Sequence, residues 1–181
     1  MSVAATALAG SLIGATGTAS AAGTGTTGTA EFAAQAKKAG LTGSQAKELQ
    51  SRVDRYLADL GGKQVAVNKI ERGDMSVLVT LPGERVARDL TAQKQFAWYC
   101  PYENFCMYRG ESGTGDQLNL YNCKTYGLTN WKGNGSWYNN QTPGTRAKLM
   151  DRNHNVLVTT VGAPSYNPSY NWDPIWYVKP C

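Results

Sequence analysis

The residues with the strongest claim to chemistry in this chain are its four cysteines, Cys100, Cys106, Cys123 and Cys181. An even cysteine count behind an export signal reads as a disulfide framework, because thiols oxidise outside the cytoplasm. Three connectivities are open. The favoured one joins Cys100 to Cys106 across the short loop CPYENFC and Cys123 to the last residue, Cys181. On the loop-entropy model these links contribute about 2 and about 4 kcal/mol. Zinc is the other use of four cysteines, but these spacings do not match its ligand patterns, and the only histidine is His154. No other constellation assembles a reaction. Gly110-Glu111-Ser112-Gly113-Thr114 misses the last glycine of a nucleophile elbow and sits in a hairpin. Glu103 and Glu111 read as surface carboxylates rather than a glycosidase pair, since nothing in the pattern brings them together. Asp151, Asn153 and Asn155 alternate like a calcium loop, but no acidic closing ligand follows, so a polar hairpin tip is the better reading. The expectation is a protein that is not an enzyme, with no catalytic residue, no metal and no cofactor.

The elements around these residues fall into a leader and two unlike halves. Residues 1–30 carry no charged side chain. Residues 3–15 are apolar over a signal-peptide length, and Ala19-Ser20-Ala21 is a small-x-small cleavage site, so residues 1–21 read as a signal peptide. Gly23–Gly28 spells GxGxxG, but in a Gly/Thr-rich linker over 22–40 it lacks the strand that a dinucleotide site needs. Over 41–90 the pattern is α-β-β. Thr42 and Gln45 form a capping box. Ala46, Leu49, Val53, Tyr56, Leu57 and Leu60 recur at a helical period, and Gly61-Gly62 ends the helix. Strands follow at 64–70 and 76–81, across a turn at Arg72-Gly73-Asp74 that is turn chemistry rather than an adhesion signal. The module reads as an accessory or pro-segment. A polar, basic stretch over 84–97, with the linker proper at 91–97, separates it from 98–181 and offers a protease site.

The second half holds nearly all the aromatic residues: only Phe32 and Tyr56 precede residue 96. Short β-prone pieces (FCMYR, QLNLYNC, SWYNNQ, RAKLMD, VLVTTV, PIWYVKP) stand between Gly, Asn, Asp and Pro clusters, which predicts an all-β domain. Met107-Tyr108-Arg109 and Leu149-Met150-Asp151 each run through a turn into a second strand, an inexact repeat that predicts two Greek keys. The net charge of +5 is spread without a basic run, so a nucleic-acid partner is not indicated, and no apolar stretch is long enough to span a bilayer.

The framework CPYENFCMYRGESGTG, LYNC, NGSWYNNQTPGTRAKLMDRN and WDPIWYVKPC resembles the secreted actinobacterial proteins of peptidase inhibitor family I36. The resemblance covers about residues 98–181. It implies a βγ-crystallin-like double Greek-key sandwich, with Tyr108 and Gly115 as the first hairpin's Tyr-Gly pair. It also implies a secreted, extracellular inhibitor of a peptidase, a metallopeptidase in the first instance, that acts as a monomer through a stiff exposed loop. A second disulfide late in the domain, which braces the loop of the family's prototype, has no counterpart here. The calcium motif of some βγ-crystallin domains is degenerate at Lys132–Trp137. Two loops qualify. One is Arg109–Gln117. The favoured one is Ala163–Asp173, in which Pro164, Ser165, Tyr166, Asn167, Pro168, Tyr170 and Trp172 combine proline bracing with aromatic contact area. The alternative is a binder of cell-wall glycan, or a killer-toxin-like βγ-crystallin protein, whose aromatics form a sugar-binding face.

Overall fold

The computed structural model describes residues 26–91 and 99–181; the signal peptide expected at 1–21 and most of the linker expected at 91–97 lie outside the described residues. Helix α1 spans Thr26–Lys38 and α2 spans Gly43–Leu60. Eleven strands follow: β1 Lys63–Ala66, β2 Lys69–Arg72, β3 Met75–Leu78, β4 Asn104–Tyr108, β5 Gln117–Leu120, β6 Tyr126–Gly127, β7 Asn134–Asn140, β8 Lys148–Met150, β9 Val156–Thr159, β10 Ser165–Asn171 and β11 Tyr177–Lys179. They make two open antiparallel sheets, one ordered β1-β2-β3-β5-β4-β7-β10 and the other β6-β11-β8-β9. Neither closes into a barrel.

Helix α2 begins as its cap dictates. The Thr42 hydroxyl accepts from the Gln45 N–H and the Gln45 side chain accepts from the Thr42 N–H. It buries Leu49, Val53, Tyr56 and Leu60 on one stripe and ends at Gly61. Helix α1 corrects the expected linker at 22–40. Past its Gly/Thr head the segment reads AEFAAQAKK, rich in alanine. Ala36 is buried, and Phe32 and Ala39 pack against the core. The strand expected at 64–70 is two strands. Its backbone turns at Val67-Asn68, where the Asn68 amide donates to the Val79 and Arg88 carbonyls.

The larger correction concerns the two halves. Residues 41–90 are not a module apart, because β3 pairs with β5 over four residues, Met75↔Leu120 to Leu78↔Gln117. Paired residues share a sheet face. One row of buried apolar side chains therefore crosses five strands as Ile70, Val77, Leu118, Met107 and Trp137. A second row runs Met75, Leu120, Phe105. One cluster joins these rows to Leu49, Val53 and Leu60 of α2 and to Leu149, Ile175 and Val178 in and around the second sheet. Part of the stretch expected as linker is stitched down too. The Gly115 N–H donates to the Arg85 carbonyl, Val86 bridges Gly115, and Asp89 pairs with Lys69.

The strands of 99–181 are exchanged between the sheets. Strands β4, β5 and β7 share the large sheet with β10, while β8, β9 and β11 share the small one with β6. Of the run β4–β7, β6 thus joins the small sheet, and of the run β8–β11, β10 joins the large one. Both disulfides form as favoured, Cys100–Cys106 and Cys123–Cys181. They point to an oxidising compartment. Among the described residues, no helix is long and apolar enough to cross a membrane.

The Arg72-Gly73-Asp74 turn joins β2 to β3, and Asp74 is engaged in the fold: Lys124 Nζ lies 2.5 Å from Asp74 Oδ1. That contact holds the Asp74 carboxyl down at about 2, against 3.8 ordinarily. A carboxyl depressed by folding stabilises fully above its unfolded value and stops contributing as pH falls through its folded value. The expected result is an acid limb in the stability curve between pH about 4 and about 2. Chemical denaturation across that range should show it, and Asp74→Asn should flatten it.

Candidate functional site

Both loops singled out in the sequence reach the same edge of the large sheet, but neither is a plain loop. The favoured segment, Ala163–Asp173, is mostly strand. Ser165–Asn171 form β10, which pairs with β7 at Ser165↔Asn139, Tyr166↔Tyr138 and Asn167↔Trp137, then resumes at Tyr170↔Gly135. Pro168 falls in the register break, where its missing N–H costs no ladder bond; proline is tolerated on edge strands and bulges for that reason. Pro164 lies just before the strand. Trp172, expected to offer contact area, is fully buried, and its indole N–H donates to the Tyr108 carbonyl at 3.2 Å. The indole packs on Gly135, where an added Cβ would lie 2.2 Å from the Tyr108 oxygen. Only glycine fits there. Exposed along this edge are Tyr166, at 64%, Pro168, Ser169 and Asn171.

The second segment, Arg109–Gln117, folds into a tight tip between β4 and β5. Its strands close through Arg109 N–H to the Asp116 carbonyl and Gly110 N–H to the Thr114 carbonyl. Glu111–Gly113 make a single 3-10 turn with Ser112 at φ 54°. Gly115 is required: at φ +78°, a Cβ there would sit 2.9 Å from the Gly110 nitrogen. Its expected partner Tyr108 is buried and donates its hydroxyl to the Tyr99 carbonyl rather than reaching solvent. The tip is clamped from below by Ser136, fully buried on β7. The Ser136 hydroxyl donates to the Gly110 carbonyl at 2.7 Å and accepts from the Gly113 N–H at 2.9 Å.

A side bond unites the two segments: the Ser169 hydroxyl on β10 donates to Glu111 Oε1 at 2.5 Å. The candidate surface is therefore the Glu111-Ser112 tip plus the exposed edge of β10. Tyr166 pairs across with Tyr138, which in turn pairs with Cys106 and packs on the Cys100–Cys106 disulfide. Ser136 was missed in the sequence because its role depends on a cross-strand neighbour, and no local pattern marks it.

The remaining candidates are occupied by the fold. Glu103 accepts from the Tyr121 hydroxyl, while Glu111 takes Ser169, so the two carboxylates serve different partners. Asp151 Oδ1 caps its own hairpin by accepting from the Asn153 and Asn155 N–H groups, and His154 stacks on Tyr177 at 3.8 Å. At the degenerate calcium stretch, Lys132 Nζ donates to the Asp173 carbonyl and lies over the Trp176 ring. Among the described residues no group of three or more His, Cys, Asp or Glu side chains is placed to hold a metal ion. The exposed rings Tyr99, Tyr102, Tyr121, Tyr166 and Trp176 come from several separate segments of the chain.

No protein-family model matches this chain, and neither a curated protein nor a solved structure matches it.

Proposed function

We propose that this protein is a secreted inhibitor of an extracellular peptidase, most readily a metallopeptidase, with a βγ-crystallin-like double Greek-key domain over 99–181. The exchange of β6 and β10 between the sheets supports the Greek-key reading, since it gives each repeat a fourth strand in the other's sheet. The observation that carries the inhibitory reading is the clamped tip. Exposed Glu111 and Ser112 are held by the two bonds of Ser136 below and by Ser169 at the side. An element ordered before docking loses little conformational freedom on binding, which is what a cleft-filling inhibitor needs. Tyr166 adds a large ring with few rotamers beside it. In this reading no residue of the chain does chemistry; the tip and β10 occupy another enzyme's cleft.

The test titrates thermolysin-type and subtilisin-type peptidases with the oxidised protein from residue 22 onward. Stoichiometric inhibition is expected for one class. Tyr166→Ala should weaken it roughly 30-fold, the loss typical of an interface anchor, and Glu111→Ala should weaken it in the same direction. Absence of inhibition by folded protein at micromolar concentration overturns the proposal for both classes. Retention on insoluble cell-wall polysaccharide in that case would favour the glycan-binding alternative.

A further inference from the structure

A cavity of about 380 Å³ opens where α2 meets the base of the β4–β5 hairpin. Its walls carry three guanidinium groups, Arg52, Arg55 and Arg109, against two carboxylates, Asp59 and Asp116. Asp116 is already saturated. Its Oδ1 accepts from Arg52 Nη2 at 2.5 Å and from the Thr80 N–H at 2.8 Å, and its Oδ2 accepts from the Tyr56 hydroxyl at 2.8 Å. Asp59 accepts from the Asn130 amide at 2.9 Å.

The other two arginines make no ion pair among the described residues, and with Asp59 counted the cavity keeps one net positive charge. Arg109 donates its Nε to the Tyr56 oxygen at 2.9 Å and stacks 4.7 Å from the buried Trp131 ring. Those two contacts orient the guanidinium, yet neither terminal nitrogen has a hydrogen-bond or carboxylate partner among the described residues. Arg55 donates only to the Ser51 hydroxyl, at 3.2 Å, and it too has no carboxylate partner among the described residues. Arg109 is partly buried, so its guanidinium gives up hydration without recovering an opposite charge, which is costly unless an anion completes it; Arg55 is exposed and adds a second positive charge to the same cavity. Planar guanidinium forks match carboxylate and phosphate oxygens in bidentate geometry.

We propose that this cavity is a binding site for a small oxyanion, a carboxylate or a phosphate, gripped between Arg109 and Arg55. The Tyr56 oxygen and the Trp131 face pre-orient Arg109, so the site is built before the ligand arrives. Arg52 and Asp116 belong to the wall and neutralise each other. Because the site lies between the helix and the sheet, a bound anion would also tie α2 to the hairpin, and occupancy would raise thermal stability by mass action. The proposal is independent of the inhibitory reading.

The test is a titration of the oxidised protein from residue 22 with sodium phosphate and, separately, sodium citrate. Chloride holds the ionic strength constant, because exposed charge interactions are screened by salt. Saturable binding at about 1 mM or tighter, with displacement of the Arg109 Nε–H resonance and a rising Tm, is the expected result. Arg55→Ala, which removes a side chain bonded only to Ser51, should weaken binding at least roughly tenfold, about 1.4 kcal/mol, and leave the ligand-free Tm unchanged. Arg109→Lys keeps the charge and should weaken binding comparably by losing the fork. Arg146→Ala, an exposed site elsewhere, should change nothing. A preference for phosphate assigns the ligand to phosphate esters, and a preference for citrate to carboxylates. Non-saturating shifts, or equal binding by wild type and Arg55→Ala, would overturn the proposal.

Discussion

Residues 99–181 expressed without 26–91 are expected not to form a stable monomer. Removing the N-terminal part strips β3 from β5 and leaves four residues of ladder open at a sheet edge, and an unpaired edge templates aggregation. It also takes Leu49, Val53, Ile70, Val77 and Val79 out of the cluster that buries Phe105, Met107 and Leu118. Each buried side chain of this kind contributes roughly 1.5–3 kcal/mol. Five such losses approach or exceed the whole margin of a domain, about 5–15 kcal/mol. The complementary experiment leaves the parts together. A chain cut at a protease site engineered between 92 and 98 should elute at the mass of the intact protein under native conditions. It should separate into two pieces in denaturant without reductant, because both disulfides lie within 99–181. A soluble, cooperatively unfolding 99–181 fragment, or pieces that separate under native conditions, would show that the β3–β5 seam is dispensable. The pro-segment expectation would then stand, whereas an intact seam means that cutting the connection releases nothing.

The second large effect is expected at Asp116, which pins α2 to the β5 side of that seam. All three of its partners are donors: Arg52, Tyr56 and the Thr80 backbone N–H. Asp116→Asn preserves the shape but turns one acceptor into an NH2 group facing a donor, and it leaves Arg52 without a counter-charge. Breaking one side of a largely buried pair typically costs 3–5 kcal/mol; with Arg52 partly solvated, about 3 kcal/mol is expected. Urea unfolding followed by circular dichroism reads it as a lower midpoint with an unchanged slope. The Tyr56 hydroxyl, which loses its acceptor in that variant, already sits well above its usual pKa, first because it is buried and then because Asp116 is beside it. A change under about 1 kcal/mol would mean that solvent replaces the carboxylate and that Asp116 is no keystone.

How much of this was readable beforehand follows the range of the interactions. Thr42 and Gln45 are three residues apart, and Leu49, Val53, Tyr56 and Leu60 lie on successive turns, so the cap and buried stripe of α2 were legible. Helix α1 was hidden behind its Gly/Thr head, which outweighed the alanine-rich remainder. Six of the strands in 99–181 overlap β-prone pieces picked out by composition, but β6 is only two residues long and β10 carries proline and polar residues. Strand β10 exists because β7 offers it an edge, and Pro168 is harmless only in the break of that pairing.

The chemistry divides along the same line. From the sequence alone come the cysteine framework with its favoured pairing, the glycine turn at 72–74, the α2 helix and the β character of the second half. Each rests on residue type or on spacing within a few turns. Tertiary structure alone decides that β3 joins β5, that the favoured loop is an edge strand with its tryptophan in the core, and that Arg52 meets Asp116 across 64 residues. Local preferences act through neighbours in the chain and leave a pattern there. Edge pairing and the convergence of Arg55 and Arg109 on one cavity depend on which surfaces remain uncovered once the sheets and helices have packed, a property of the assembled core that no short segment carries.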